Sequence, residues 1–366
     1  MNKLCEELGI KYPIIQAGMA GGATTPELVS AVSNAGGLGI LSATQLTPIQ
    51  LKEAIFKIKS KTQNPFGVNI LLAPLEDGNK DIISTQHYLD NFRNELGLSP
   101  GSSNLSIPAS MTSQYLEIIF DNKVPVLSIG LGDPTNITEV AHSHNITVMT
   151  MVTTVNEAVQ VVKGGTDIAV AQGAEAGGHR STFKLGPNDE AALVGTFALV
   201  PQIVDALPPQ VPVVAAGGIM DGRGLVAALA LSASGVLIGT RFLVAKESGI
   251  FPAYQDKIFS STEADTVITN SFTGRPARSI RNRFIEKYIE SATEPLAWPL
   301  QDLAAEDIYA ESIMQNAADY YPLLAGQGLR LLKRGQSAKD IVNEIVSSAK
   351  NIISSSLAVD TLRDSP

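Results

Sequence analysis

The sequence is poor in cysteine, histidine and charge, and each shortage excludes something. Cysteine occurs once, at Cys5, so no disulfide can form within the chain and a reducing compartment is expected. The four histidines and the single cysteine show no spacing that would ligate a metal. Charged residues make up only 17%, and their formal sum is −9, which argues against a nucleic-acid partner. The opening residues MNKLCEELGI carry acids where a signal peptide needs an apolar core. The best candidate for a membrane span, GLVAALALSASGVLIGT between Arg223 and Arg241, is broken by glycine and serine. It falls short of the roughly 20 apolar residues a span requires and reads as a buried helix followed by a buried strand. A cytoplasmic protein without membrane contact is expected.

What is abundant is apolar sequence, at 44% of 366 residues. It comes in short runs, at 13–16, 39–42, 66–71, 124–129, 147–152, 167–171, 211–215 and 235–238. Most are continuous and not alternating, the pattern of parallel strands covered on both faces. Helical patterns fall between them, at 26–34, 48–60, 134–143, 155–163, 196–206 and 221–231. Several open with a cap residue followed by proline, as in Thr25-Pro26 and Thr47-Pro48. The cap oxygen takes an orphan N–H, and proline has none to orphan. Eight βα units in succession predict a (β/α)8 TIM barrel; no G-x-G-x-x-G opens a helix to support a doubly wound sheet.

Two segments break the alternation. Residues 76–122 read as an insertion within the barrel domain (1–245), with a helix near 112–122. Residues 246–330 hold the one tryptophan, Trp298, and read as a mostly helical cap over the barrel mouth. The remainder, 331–366, contains an amphipathic helix at 338–357 and a polar tail. A homodimer is compatible with this organisation, which does not specify one.

Ligand groups in a barrel gather where the strands end. The bends after strands seven and eight contain Gly217, Gly218, Gly239 and Thr240, whose backbone N–H groups could cradle a phosphate. Flavin mononucleotide (FMN) fits such a site, with one phosphate and a ring lying across the mouth. Asn69 and Gln172 are amides that could bond the ring's polar edge, and the flat segment Ala17, Gly18, Met19 could pack against it. The loop AQGAEAGGHRST presents His179 after Gly177 and Gly178, which permit close approach. An imidazole there can exchange a proton near neutrality. Glu175 reads as a solvated loop acid. Arg275, Arg278, Arg281, Arg283 and Lys287 read as a solvated basic face, and His142 and His144 as partners of a helix dipole.

AQGAEAGGHRS, VVAAGGIMDGRG and LIGTRF, with PIIQAGMAGG and SNAGGLGIL, closely resemble the nitronate monooxygenase family, formerly called 2-nitropropane dioxygenases. The resemblance spans about 13–248. FMN-dependent enoyl-acyl-carrier-protein reductases look similar, and the loop Ser128–Pro134 is like theirs. The resemblance implies a TIM barrel with a smaller second domain, bound FMN, and His179 as catalytic base. It also implies Asn69, Gln172, Gly177, Gly218, Gly239 and Thr240 around the FMN. The implied reaction is oxidation of an alkyl nitronate or nitroalkane by O2 to a carbonyl compound and nitrite, without a nicotinamide. In the reductase alternative, NAD(P)H reduces the FMN and hydride passes to an enoyl thioester.

Overall fold

The computed structural model describes residues 2–73, 81–291 and 293–355. The end of the expected last helix, the polar tail and the whole EDGNK stretch lie outside the described residues. The strands, in chain order, are β1 (Ile14–Gln16), β2 (Leu38–Ser42), β3 (Phe66–Leu71), β4 (Val126–Gly130), β5 (Thr147–Val152), β6 (Ile168–Gln172), β7 (Gly178–His179), β8 (Val213–Ala216), β9 (Gly235–Ile238), β10 (Thr266–Thr269) and β11 (Ala277–Ile280). β1 to β6, β8 and β9 close a parallel barrel in that order, and β9 pairs back to β1. The fold is therefore a (β/α)8 barrel. Strands such as β2, β4 and β6 are buried along their whole length, because helices cover one face and the barrel interior the other.

The helices are α1 (Lys3–Leu8), α2 (Pro26–Asn34), α3 (Pro48–Lys61), α4 (Ile82–Leu96), α5 (Thr112–Asp121), α6 (Thr135–Ser143), α7 (Val155–Lys163), α8 (Thr196–Ala206), α9 (Gly222–Ala230), α10 (Thr240–Leu243), α11 (Pro252–Ser260), α12 (Arg283–Glu290), α13 (Leu300–Ala304), α14 (Glu306–Met314) and α15 (Ala338–Ser354). Thr25, Thr47 and Thr154 cap α2, α3 and α7 through their side-chain oxygens. α6 starts one residue later than its proline suggests, with Asp133 accepting from the Thr135 N–H at 2.9 Å. Leu4, Cys5 and Leu8 of α1 join the barrel-interior cluster of Ile15, Val126, Met149 and Ile168. No helix among the described residues is long and apolar enough to cross a membrane.

The cap is built from α11 to α14, and it also carries an antiparallel sheet in the order β10-β11-β7. The sequence reading did not anticipate this sheet. Its edge strand β7 comes from the barrel's own His179 loop, pairing Ala277 with His179 and Arg278 with Gly178. A two-residue strand has no periodicity to detect, so only its partner reveals it.

α4, from the insertion, is also new. Its boundaries were marked: Asp81 caps the first turn, and Gly97 ends the helix at φ 76°. Its apolar face belongs to the cap, where Phe92 stacks on Phe284 with centroids 4.5 Å apart. Arg93 of α4 is 2% exposed and binds Asp307 Oδ2 through Nε (2.7 Å), Gln86 Oε1 (2.7 Å) and the Ala304 carbonyl (2.6 Å). We expect Arg93→Ala to cost about 2–3 kcal/mol in urea unfolding. That is below the ~3–5 kcal/mol of a fully buried pair, because Asp307 keeps access to water. A loss under ~0.5 kcal/mol would show that α4 does not anchor the cap.

Candidate active site

One cavity opens at the C-terminal ends of the barrel strands, beneath the cap. Its walls include Ala17, Gly18, Met19, Asn69, Gln172, Gly177, Gly178, His179, Gly217, Gly218, Gly239 and Thr240. The fold thus brings together every residue that the sequence suggested for catalysis or flavin binding. Asn69 sits on β3, Gln172 ends β6, Gly178 opens β7, Gly217 and Gly218 follow β8, and Gly239 follows β9.

The His179 loop leaves the barrel because it is held from both sides. Arg180 is fully buried and donates back to the carbonyls of Gly173 (2.8 Å) and Gln172 (2.9 Å). Burial, and then the Arg278 charge, lowers its pKa to about 10, so it stays a cation at neutral pH. Ser181 Oγ donates to the Met151 carbonyl (3.1 Å) and accepts from the Leu131 N–H (2.9 Å), tying the loop to β5 and to the bend after β4. At Gly177 a Cβ would fall 2.5 Å from Gly326 N and Ala325 C. Only glycine lets the loop press against that cap segment.

His179 Nε2 lies 2.8 Å from Thr273 Oγ1, and the ring meets Trp298 edge-on at 5.4 Å. The Thr273 hydroxyl is also 3.3 Å from the Arg275 carbonyl. Where the hydroxyl donates to that carbonyl, Nε2 carries the proton and Nδ1 is the bare base; where it donates to Nε2, the proton sits on Nδ1. Burial, and then the Arg275 charge, depresses the pKa of His179 to about 4. The ring is therefore neutral across the physiological range.

After β8, Gly217 and Gly218 adopt φ of 110° and 70°. Among the described residues, no acceptor takes up the N–H groups of Gly218, Gly239 or Thr240. A Cβ at Gly239 would meet nothing closer than 3.8 Å. Packing does not demand glycine there; open space in front of donors does. Unpaired N–H groups lining one cavity are suited to an anion.

The two amides behave differently. Asn69 donates to the Ser128 carbonyl and hydroxyl, both at 3.2 Å, leaving its oxygen for the cavity. Gln172 organises the loop, donating to the His179 carbonyl (2.9 Å) and accepting from Ser181 N–H (2.9 Å).

Two expectations are corrected. Glu175 is not a solvated acid: it accepts from the Thr196 N–H (2.9 Å) and hydroxyl (2.8 Å), capping α8, whose own N-cap residue, Gly195, has no side chain. The basic run is a solvated face only at Arg281 and Arg283; Arg275 and Arg278 are buried. Arg275 is 1% exposed with Nη2 on the Thr182 carbonyl, and Arg278 bonds the Ala174 carbonyl at 2.9 Å. Both clamp the barrel loop to the cap. Arg283 and Lys287 pair with Glu95 of α4, and Arg281 is exposed. His142 binds Asp167 at 3.0 Å, and His144 stacks on Phe120.

The cap contributes cavity residues the sequence did not disclose: Thr273, Trp298, Asp302, Tyr309 and Tyr321. They are distant in sequence from the glycine motifs and carry no local signature. Burial, and then the Glu306 charge, raises the pKa of Asp302 to about 7.

This constellation defines a class, the (β/α)8-barrel proteins with unpaired backbone N–H groups and an imidazole at the barrel mouth. Comparison with known proteins narrows it. The family model described as nitronate monooxygenase matches residues 2–348. A probable nitronate monooxygenase of Staphylococcus haemolyticus is 37% identical over 356 residues, covering 96% of this chain and 98% of that one. One from Staphylococcus aureus (strain JH9) is 38% identical over 354 residues, with the same coverage. Among solved structures, nitroalkane oxidase from Streptomyces ansochromogenes superposes with a TM-score of 0.88 at 31% identity, covering 95% and 98% of the two chains. FabK from Thermotoga maritima gives 0.77 at 29% identity, covering 98% and 99%. The chain belongs to the nitronate monooxygenase family and is an oxidoreductase of that type. Membership implies a flavin.

Proposed function

We propose that this enzyme oxidises alkyl nitronates with O2 to carbonyl compounds and nitrite, using FMN. The observation that carries the reading is the neutral imidazole of His179, facing a cavity whose floor offers unpaired N–H groups. The residues present suit FMN. Gly218, Gly239 and Thr240 would hold its single phosphate, Ala17 to Met19 would support the ring, and the free oxygen of Asn69 would meet the ring's polar edge. When bound, the flavin supplies the redox step between substrate and O2.

The chain's own groups do the rest. The bare ring nitrogen of His179, Nδ1 when Nε2 carries the proton, takes a proton from the carbon that bears the nitro group of a neutral nitroalkane. Preformed nitronate has already lost that proton and needs no base. Thr273 holds Nε2, and Trp298 holds the ring edge-on. Trp298, Tyr309 and Tyr321 line the cavity with aromatic surface, which would limit water around a bound substrate.

The test is O2 uptake by the purified protein with propionate 3-nitronate and no NAD(P)H. Uptake with nitrite release is expected. Rapid NADH oxidation without nitronate-dependent uptake would instead favour an enoyl-thioester reductase, the alternative raised by the similarity to FabK.

A further inference from the structure

Proton abstraction by His179 leaves the carboxylic acid Asp302 of the cavity without a role. Asp302 lies on α13 and lines the same cavity as His179. Its carboxylate makes no hydrogen bond or ion pair among the described residues. Tyr309 and Tyr321 lie close enough to feel its charge, and Trp298 and Leu324 line the same cavity. An ionised carboxylate in such surroundings has no partner and only the limited water of the cavity, so its charge is disfavoured.

The groups packed near Asp302 do not relieve it. Glu306 of α14 adds like charge. Tyr309 donates its hydroxyl to the Phe272 carbonyl at 2.7 Å, and Tyr321 points its own at the Gly21 carbonyl, 3.5 Å away. Arg93 is the cation reaching this corner, and Asp307 and Asp90 engage it. His179, in the same cavity, is neutral.

Asp302 also has little freedom to swing away. Arg93 grips the Ala304 carbonyl. Gln301, fully buried, donates to the Ser271 carbonyl and the Tyr288 hydroxyl, both at 2.8 Å, and accepts from Leu296 N–H at 3.0 Å. The short helix is anchored on both sides of the acid, which lines the cavity.

We propose that Asp302 selects the charge of the substrate: protonated, it donates a hydrogen bond to a small organic anion in the cavity, and ionised, it repels that anion. The inference rests on the reading that alkyl nitronates are the substrates and names the residue that admits them. Its pH sense follows from the raised pKa of about 7. Below that value the acid is neutral and the anion binds; above it, binding must first restore a proton. Neutral nitroalkanes carry no such requirement.

Benzoate, an inert anion that stays ionised throughout, provides the test on the flavin-loaded protein by calorimetry. Its Kd should weaken about tenfold between about pH 6 and about pH 8 in the unaltered protein, as expected for one proton taken up on binding. In Asp302→Asn the change should be under about twofold, while Asp302→Glu should keep a pH dependence. Asp302→Ser serves as a second neutral variant should Asn fold poorly. A tenfold change retained in the neutral variants, or no change in the unaltered protein, would overturn the proposal. Nitronate turnover is read separately: its absence from the unaltered protein sinks the proposed function and leaves the benzoate comparison intact.

Discussion

His179→Ala should lower kcat/KM for a neutral nitroalkane by about 10²–10⁴, the usual worth of a positioned base. The loss for the matching preformed nitronate should stay within about tenfold, because no proton is left to remove. O2 uptake with nitroethane and with ethyl nitronate, measured side by side, gives the ratio. The variant should remain yellow, since the N–H cradle after β8 and β9 does not include the imidazole. Equal losses on both substrates would end the case for a base. The pH dependence has a definite sign. Because burial lowers the pKa of His179 to about 4, the basic form is already complete at mildly acid pH. The nitroalkane rate of the unaltered enzyme should therefore show no limb from this residue between about pH 5.5 and pH 8.

The second large effect concerns Gly239. A Cβ there meets nothing closer than 3.8 Å, so Gly239→Val should fold with unchanged thermal stability when free of flavin. The new methyl groups would occupy the space in front of the unpaired N–H groups. FMN affinity should fall by about 100-fold or more, roughly the ~3 kcal/mol of a displaced phosphate with its charge-assisted bonds. Visible absorbance after gel filtration with excess FMN reads this directly. Gly177→Ala makes the contrast, since its Cβ would sit 2.5 Å from Gly326 N and must disturb the loop itself. If Gly239→Val kept its full yellow colour, the cradle would lie elsewhere.

Much of the fold was legible because its signals are local. Continuous apolar runs gave strand positions such as Phe66–Leu71 and Thr147–Val152 without a shift. Threonine-proline starts gave α2 and α3. The barrel half of the site was legible for a related reason. Barrel chemistry sits where strands stop, so Gly217, Gly218, Gly239 and Thr240 could be found by reading one step past each apolar run.

The cap half was not legible. Arg275 and Arg278 look like surface charge in sequence, yet their guanidinium groups satisfy carbonyls of a loop some hundred residues earlier. Glu175 looks like a loop acid, yet it caps a helix whose N-terminus has only glycine to offer. Such roles depend on which backbone groups remain unpaired after folding, and that is a property of the assembled chain.

From its own residues, then, the chain declares a parallel barrel, the bends that end its strands, and an imidazole set among glycines. Those depend on hydrophobic period, caps and backbone permissiveness, all of which act over a few neighbouring positions. Only the tertiary structure decides that Thr273 orients that imidazole, that burial holds it neutral, and that Asp302 lines the same cavity without a partner. Desolvation and long-range pairing set those properties, and neither exists until distant segments have excluded water together.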